Sequence, residues 1–213
     1  MDNKMDIALI WDVDGTLIDS YGIFVDCLQE TLARSGVILS REEIHRYVIT
    51  NSIGDFIPMV EKKYGISFQT DFYTALRQQR ERKTRAIPHA TDLLLRLTSA
   101  GVRNFIFTHR DASTKAMLSI AGLENFFEDA VTSRDGFPRK PAPDGLLHLM
   151  QKHGLAKERT FYVGDRPLDM ECAVNAGVSG IFYLPKGSPA RSAGLERFAV
   201  HDLLEIYDLI FQE

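Results

Sequence analysis

The stretch that most constrains how this chain can fold is Ile7-Ala8-Leu9-Ile10-Trp11-Asp12-Val13-Asp14-Gly15-Thr16-Leu17. An apolar run with β-branched and aromatic residues, cut off by two acids and a glycine, reads as a buried strand carrying carboxylates at its C-terminal tip. Open α/β sheets put their chemistry at such strand ends. Side chains two apart in an extended segment point the same way, so Asp12 and Asp14 are expected to face one pocket, while Gly15 lets the backbone turn away. Two carboxylates held so close repel unless something positive sits between them, and a hard cation is the simplest such group. Taken alone, the stretch fits equally well a strand end followed by an acidic turn, because Asp and Gly are ordinary turn residues.

A chain of 213 residues suits one large domain or a core with an insertion. Its net charge of −4 gives no electrostatic reason to expect nucleic acid or an anionic membrane as partner. The start, Met1-Asp2-Asn3-Lys4-Met5-Asp6, lacks the basic-then-apolar pattern of a secretory signal, and no apolar run approaches membrane-spanning length, so cytoplasm is the expected compartment. Cys27 and Cys172 sit in helix-like patterns without metal-ligand spacing and are expected to be reduced packing residues.

After Leu17 the strand–helix alternation is suspended, and residues 19–87 carry helical spacing with no convincing strand. Phe24, Val25, Leu28, Leu32 and Ala33 form one stripe of a helix over 21–35, and Ser40 followed by Glu43 has the form of a capping box opening a helix toward Val48. Further helices are expected over 55–64 and 69–83. An unstructured loop of this length would be improbable, so the segment reads as a small helical subdomain. From Pro88 the alternation resumes. Strands are predicted over 102–108, 130–132, 160–164 and 180–184, and helices over 89–100, 112–121, 143–153, 168–176 and 201–211, with a loop over 185–194. Such alternation implies parallel strands joined by right-handed helical crossovers. The predicted fold is thus α/β: a Rossmann-like, doubly wound parallel sheet of five or more strands over 1–18 plus 88–213, with an α-helical cap inserted at 19–87.

Parallel strands would gather their C-terminal ends on one edge of the sheet. The first ends in Asp12 and Asp14, the second in Thr108-His109-Arg110, and the fourth in Gly164-Asp165 with Asp169 four positions on; Arg139-Lys140-Pro141-Ala142-Pro143 follows the third. Acids for a metal, a hydroxyl and a lysine for an anion would then converge.

These residues resemble the haloacid dehalogenase superfamily of hydrolases, in the subfamily with a helical cap after the first strand and with phosphoglycolate phosphatase-like members. Asp12-Val13-Asp14-Gly15-Thr16-Leu17 is similar to that family's first motif, Thr108 to its second, Lys140 in Lys-Pro-Ala-Pro-Asp to its third, and Gly164-Asp165 through Asp169 to its fourth. The resemblance runs from about Ile7 to Leu184. It implies that Asp12 is the nucleophile forming an aspartyl phosphate, and that Asp14 is the general acid and then base. It also implies that Thr108 and Lys140 stabilise the transferring phosphoryl group. Mg²⁺ would be held by Asp12, the Asp14 carbonyl and Asp165, with Asp169 nearby as a metal-site residue that orients a bound water or Lys140. Substrate contacts are expected from Thr108, His109 and Lys140, and from Asn51 and Ser52 of the cap.

Two positions depart from the family pattern. His109 stands where many relatives carry asparagine, and Arg166 replaces the small hydroxyl residue usual after the fourth-motif Gly-Asp. The implied activity is Mg²⁺-dependent hydrolysis of a small organic phosphate monoester, such as phosphoglycolate or a sugar phosphate, by a monomer or homodimer. The alternatives are a phosphosugar mutase of the β-phosphoglucomutase type and a non-catalytic phosphate-binding regulatory module.

Overall fold

The computed structural model describes residues 7–212 apart from Ser52, and only the backbone of Thr50 and Glu81. The chain divides into two compact units, one comprising the segments up to Ile18 and from Ala86 onward, the other Asp19–Arg85.

The first unit is built on β1 (Ala8–Trp11), whose four residues are all buried. β1 pairs in parallel with β2 (Arg103–Phe107) on one side and with β4 (Thr160–Gly164) on the other. With β3 (Asp129–Val131), β5 (Ser179–Tyr183) and β6 (Phe198–Val200), these form a six-stranded sheet in the order β3-β2-β1-β4-β5-β6, every pair parallel. The chain runs outward from β1 to β3 and then returns to β4 on the opposite flank. The sheet therefore reverses its winding beside β1, which is where such sheets open a crevice at their C-terminal ends.

Alternation along β1 explains why the sheet is covered on both faces. Leu9 and Trp11 enter one core with α5 (Ala90–Ser99), α6 (Ser113–Ile120) and α9 (Glu205–Phe211), through Leu93, Leu97, Met117 and Ile206. Ala8 and Ile10 enter the other with α7 (Asp144–His153) and α8 (Pro167–Ala176), through Leu146, Leu149 and Ala173. Burial of each large apolar side chain is worth about 1.5–3 kcal/mol, so strand and helices are fixed together by period-2 and period-3.6 patterns that agree. The Trp11 indole N–H, buried in this layer, donates to Asn104 Oδ1 at 2.9 Å.

The second unit is helical: α1 (Tyr21–Arg34), α2 (Arg41–Thr50), α3 (Ile53–Tyr64) and α4 (Gln69–Lys83). Phe24, Leu28, Ile44, Phe56, Phe68 and Phe72 meet in its own core. The capping box at α2 is formed, with the Glu43 amide donating to Ser40 Oγ and the Ser40 amide to Glu43 Oε2. Both cysteines are buried and free, Cys27 in this core and Cys172 beneath the sheet.

Most expected element ends lie within a residue or two of the observed ones, and the clearest differences are a strand, β6, and the starts of α9 and α3. β6 was not anticipated: it has three residues, of which Val200 alone is buried, too short for an alternation to register. α9 begins at Glu205 rather than near His201, because the Glu205 carboxylate accepts the amides of His201 and Asp202, and Asp202 accepts that of Leu204, fastening a turn ahead of the helix. α3 begins at Ile53, two residues earlier than the spacing predicts.

Candidate active site

Asp12 follows directly on β1, and its amide still donates to Val163 O at 2.8 Å, so the sheet ladder fixes where its side chain emerges. Gly15 then takes a left-handed φ of 80°, and its amide donates to Ile18 O at 2.9 Å as the chain turns away. Across the crevice, the end of β4 supplies Asp165, and the first turn of α8 supplies Asp169. Carboxylate oxygens of Asp12, Asp165 and Asp169 lie within 4.8 Å of one another, all three residues buried.

Lys140 is the counter-charge. Its Nζ lies 2.9 Å from Asp12 Oδ1 and 2.8 Å from Asp169 Oδ1, with the lysine side chain 2% exposed. The ammonium also stands over the rings of Phe107 and Tyr162, 5.3 and 5.2 Å from their centroids. Burial alone would pull the Lys140 pKa down; attraction to Asp12 and Asp169 outweighs it and leaves the pKa above the ordinary lysine value, so the ammonium stays charged. For Asp12 the balance runs the other way. Burial pushes its carboxyl up to about 6, opposed by Lys140 and reinforced by the negative charges of Asp169 and Asp14.

Asp169 is held from three directions: Lys140 and the Tyr162 hydroxyl meet Oδ1, and the Arg166 amide donates to Oδ2 at 3.1 Å. Its Oδ1 thus seats the Lys140 ammonium. Asp165 Oδ1 accepts from the Thr16 hydroxyl at 3.1 Å, which orients it. The close approach of β4 to Asp169 needs Gly164, since a Cβ there would lie 2.6 Å from Asp169 Oδ2 and nearer still to the carboxyl carbon. Gly164→Ala is accordingly expected to displace Asp169, unseat Lys140 and lower both thermal stability and activity, by about 1–3 kcal/mol in stability. Thermal melts and steady-state rates would check this; a variant indistinguishable from wild type in both would show that the approach is not needed.

The other expected residues are placed as follows. Thr108, buried at the end of β2, accepts the Arg110 amide on Oγ1 at 3.2 Å. His109 Nε2 accepts the Lys140 amide at 2.6 Å, which requires a neutral ring with its proton on Nδ1. Burial, with Lys140, Arg139 and Arg166 adding to it, holds the His109 pKa down at about 3 and keeps that tautomer in place. Asp14 pairs through both carboxylate oxygens with Arg110, whose Nε lies 3.1 Å from Oδ2. Asn51 belongs to the helical unit, where it caps the C-terminus of α2 and its amide donates to Tyr47 O at 3.4 Å. Ser52 lies outside the described residues. Sequence reasoning gave no role to Thr16, Tyr162 or Arg110. Each lies within two residues of a motif position or in the same strand; the partners of Thr16 and Arg110 are remote in sequence, whereas Tyr162 reaches Asp169 seven positions on.

The donor set suits a hard divalent cation. Every clustered ligand atom is a carboxylate oxygen, and of the four carboxylates at this strand end Asp12 and Asp169 meet Lys140 while Asp14 meets Arg110.

Comparison with known proteins fits this architecture. Residues 9–182 match the model of the haloacid dehalogenase-like hydrolase family, and the chain belongs to that family. It is similar, at 28% identity over 208 residues covering 92% of this chain and 86% of the relative, to phosphoglycolate phosphatase of Rhodospirillum rubrum. It is also similar, at 28% identity over 172 residues and 80% of each chain, to pyrophosphatase PpaX of Oceanobacillus iheyensis. Among solved structures, the fold resembles a haloacid dehalogenase family hydrolase of Deinococcus radiodurans with bound phosphate and sodium, with a TM-score of 0.80, 24% identity, and coverage of 99% of this chain and 97% of that one. No described helix is long and apolar enough to cross a membrane.

Proposed function

We propose that this hydrolase is a Mg²⁺-dependent phosphatase of small organic phosphates, phosphoglycolate or a sugar phosphate in kind, that works through an aspartyl phosphate on Asp12. The observation that carries the reading is the Lys140 ammonium seated between Asp12 and Asp169, with Asp165 in the same buried cluster. An acid used as nucleophile toward a phosphate dianion needs such neutralisation around it. The names of the two relatives, both concerned with small phosphate compounds, agree with the substrate class.

Asp12 attacks phosphorus, forming an O–P bond as the ester P–O bond breaks, and Asp14 gives the leaving alkoxide its proton. Asp14 then takes a proton from water as the water oxygen bonds to phosphorus and the aspartyl O–P bond breaks, releasing inorganic phosphate. Lys140 and the Thr108 hydroxyl stabilise charge on the transferring group. Asp12, Asp165 and the Asp14 carbonyl would hold the Mg²⁺, which when bound supplies further charge neutralisation.

The test is release of inorganic phosphate from phosphoglycolate, pyrophosphate and 4-nitrophenyl phosphate. Turnover is expected with Mg²⁺, to vanish with EDTA, and to return when Mg²⁺ is restored. Metal-independent turnover, or none on any substrate, would overturn the reading. An isomerised phosphate ester in place of free phosphate would indicate the mutase chemistry instead.

A further inference from the structure

We propose that Arg110 is the positioning residue for Asp14, holding its carboxylate apart from the acids gathered about Lys140 so that it stays available to the leaving group. This rests on the functional reading above and extends it to a residue outside the four motifs.

Asp12 and Asp14 leave the same strand end two residues apart, so the backbone alone directs both toward one side. An unrestrained Asp14 would be a further carboxylate competing for Lys140 and for any cation bound by Asp12 and Asp165. The clustered acids are nevertheless Asp12, Asp165 and Asp169, while Asp14 meets the Arg110 guanidinium, Nη2 to Oδ1 and Nε to Oδ2. That fork fixes the plane of the carboxylate as well as its position, which a single-point cation does not do.

Arg110 is itself immobilised. Its side chain is 2% exposed, its amide donates to Thr108 Oγ1 at 3.2 Å, and its carbonyl accepts the Ser133 amide at 3.0 Å. The guanidinium also rests against Met117 Sδ of α6. A buried cation anchored in this way stays with its partner, because separating them would strand a charge. Asp14 remains 25% exposed, so the pair is open on one side to a departing oxygen or an entering water.

General acid help matters more the poorer the leaving group, which separates positioning of Asp14 from mere structural support. The assay uses phenyl phosphates of graded leaving-group acidity, with Mg²⁺, on wild type, Arg110→Gln, Arg110→Lys, Asp14→Asn and Asp14→Asn/Arg110→Gln. In Arg110→Gln, kcat/KM for unsubstituted phenyl phosphate is expected to fall about tenfold or more beyond the fall for 4-nitrophenyl phosphate. Arg110→Lys should lie between it and wild type. In the Asp14→Asn background, the Arg110 change should add no further leaving-group dependence. An equal fall on all esters, or the same selectivity added without Asp14, would overturn the assignment while leaving the phosphatase reading intact. Should Arg110→Gln fail to fold, Arg110→Lys, which keeps the buried charge, decides: an unchanged ratio between the two esters overturns the proposal. Failure of wild type to hydrolyse any ester would instead remove the functional reading on which it rests.

Discussion

Asp12→Asn is expected to lower turnover about 10⁴-fold or more while leaving the protein folded and, without divalent cation, no less stable than wild type near neutral pH. The loss follows from the proposed chemistry, because an amide cannot become the acyl-phosphate donor that a carboxylate becomes. The stability expectation follows from the site's electrostatics. Burial raises the Asp12 carboxyl to about 6, and Lys140 offsets this only in part. A group whose folded pKa lies above its unfolded value of 3.8 binds protons on folding. Its stabilising contribution is therefore present below the unfolded pKa and is lost as the pH rises through the folded one. Asparagine carries no such penalty, so its advantage in thermal midpoint should widen from about pH 5 to about pH 7. Added Mg²⁺ should narrow the gap by stabilising wild type through binding. A variant well below wild type at neutral pH would mean that Asp12 serves mainly as a structural partner of Lys140.

The sheet and the acids were legible in the sequence because local pattern determines them. An uninterrupted apolar run such as Ile7–Trp11 has few places to go except the middle of a parallel sheet, and strands that share a direction bring Asp12, Lys140 and Asp165 to one edge. Pairing between side chains is a different matter. Arg110 and Asp14 are 96 positions apart, Thr16 and Asp165 149 apart, and nothing in the residues beside Arg110 distinguishes a buried guanidinium from the solvated cations around it. His109 shows the same limit: its Nε2 accepts the Lys140 amide, a partner 31 positions away that its neighbours in sequence do not announce. The Asn51 amide folds back on the helix it ends and donates to Tyr47 O, a local bond that its place between two helices does not specify. Short apolar triplets such as Phe198–Val200 become strands only when a neighbouring strand offers its edge.

Lys140→Met is expected to be the most destabilising of these changes, by about 3–5 kcal/mol at neutral pH, because it removes one partner from a buried charge cluster and leaves the other uncompensated. Methionine conserves much of the volume and the contact with Phe107 and Tyr162, so packing accounts for little of the loss. Lysine deprotonation cannot provide a signature near neutrality, since the Lys140 pKa is raised and its contribution persists until the pH climbs past it. The signature comes from Asp12. Without the ammonium, its carboxyl should rise further above the value of about 6 that it already has, so the variant's deficit should shrink as the pH falls and Asp12 takes up a proton. Urea midpoints compared at about pH 7 and about pH 5 would measure this, and equal deficits would assign the loss to packing rather than charge. Activity should fall at least ~10²-fold even where the variant is folded, as the phosphoryl oxygens lose a fixed positive partner. Combining Lys140→Met with Asp12→Asn removes one of the stranded carboxylates, so the double variant should be more stable than Lys140→Met alone. Strict additivity of the two single changes would mean that Lys140 and Asp12, 2.9 Å apart, do not depend on one another.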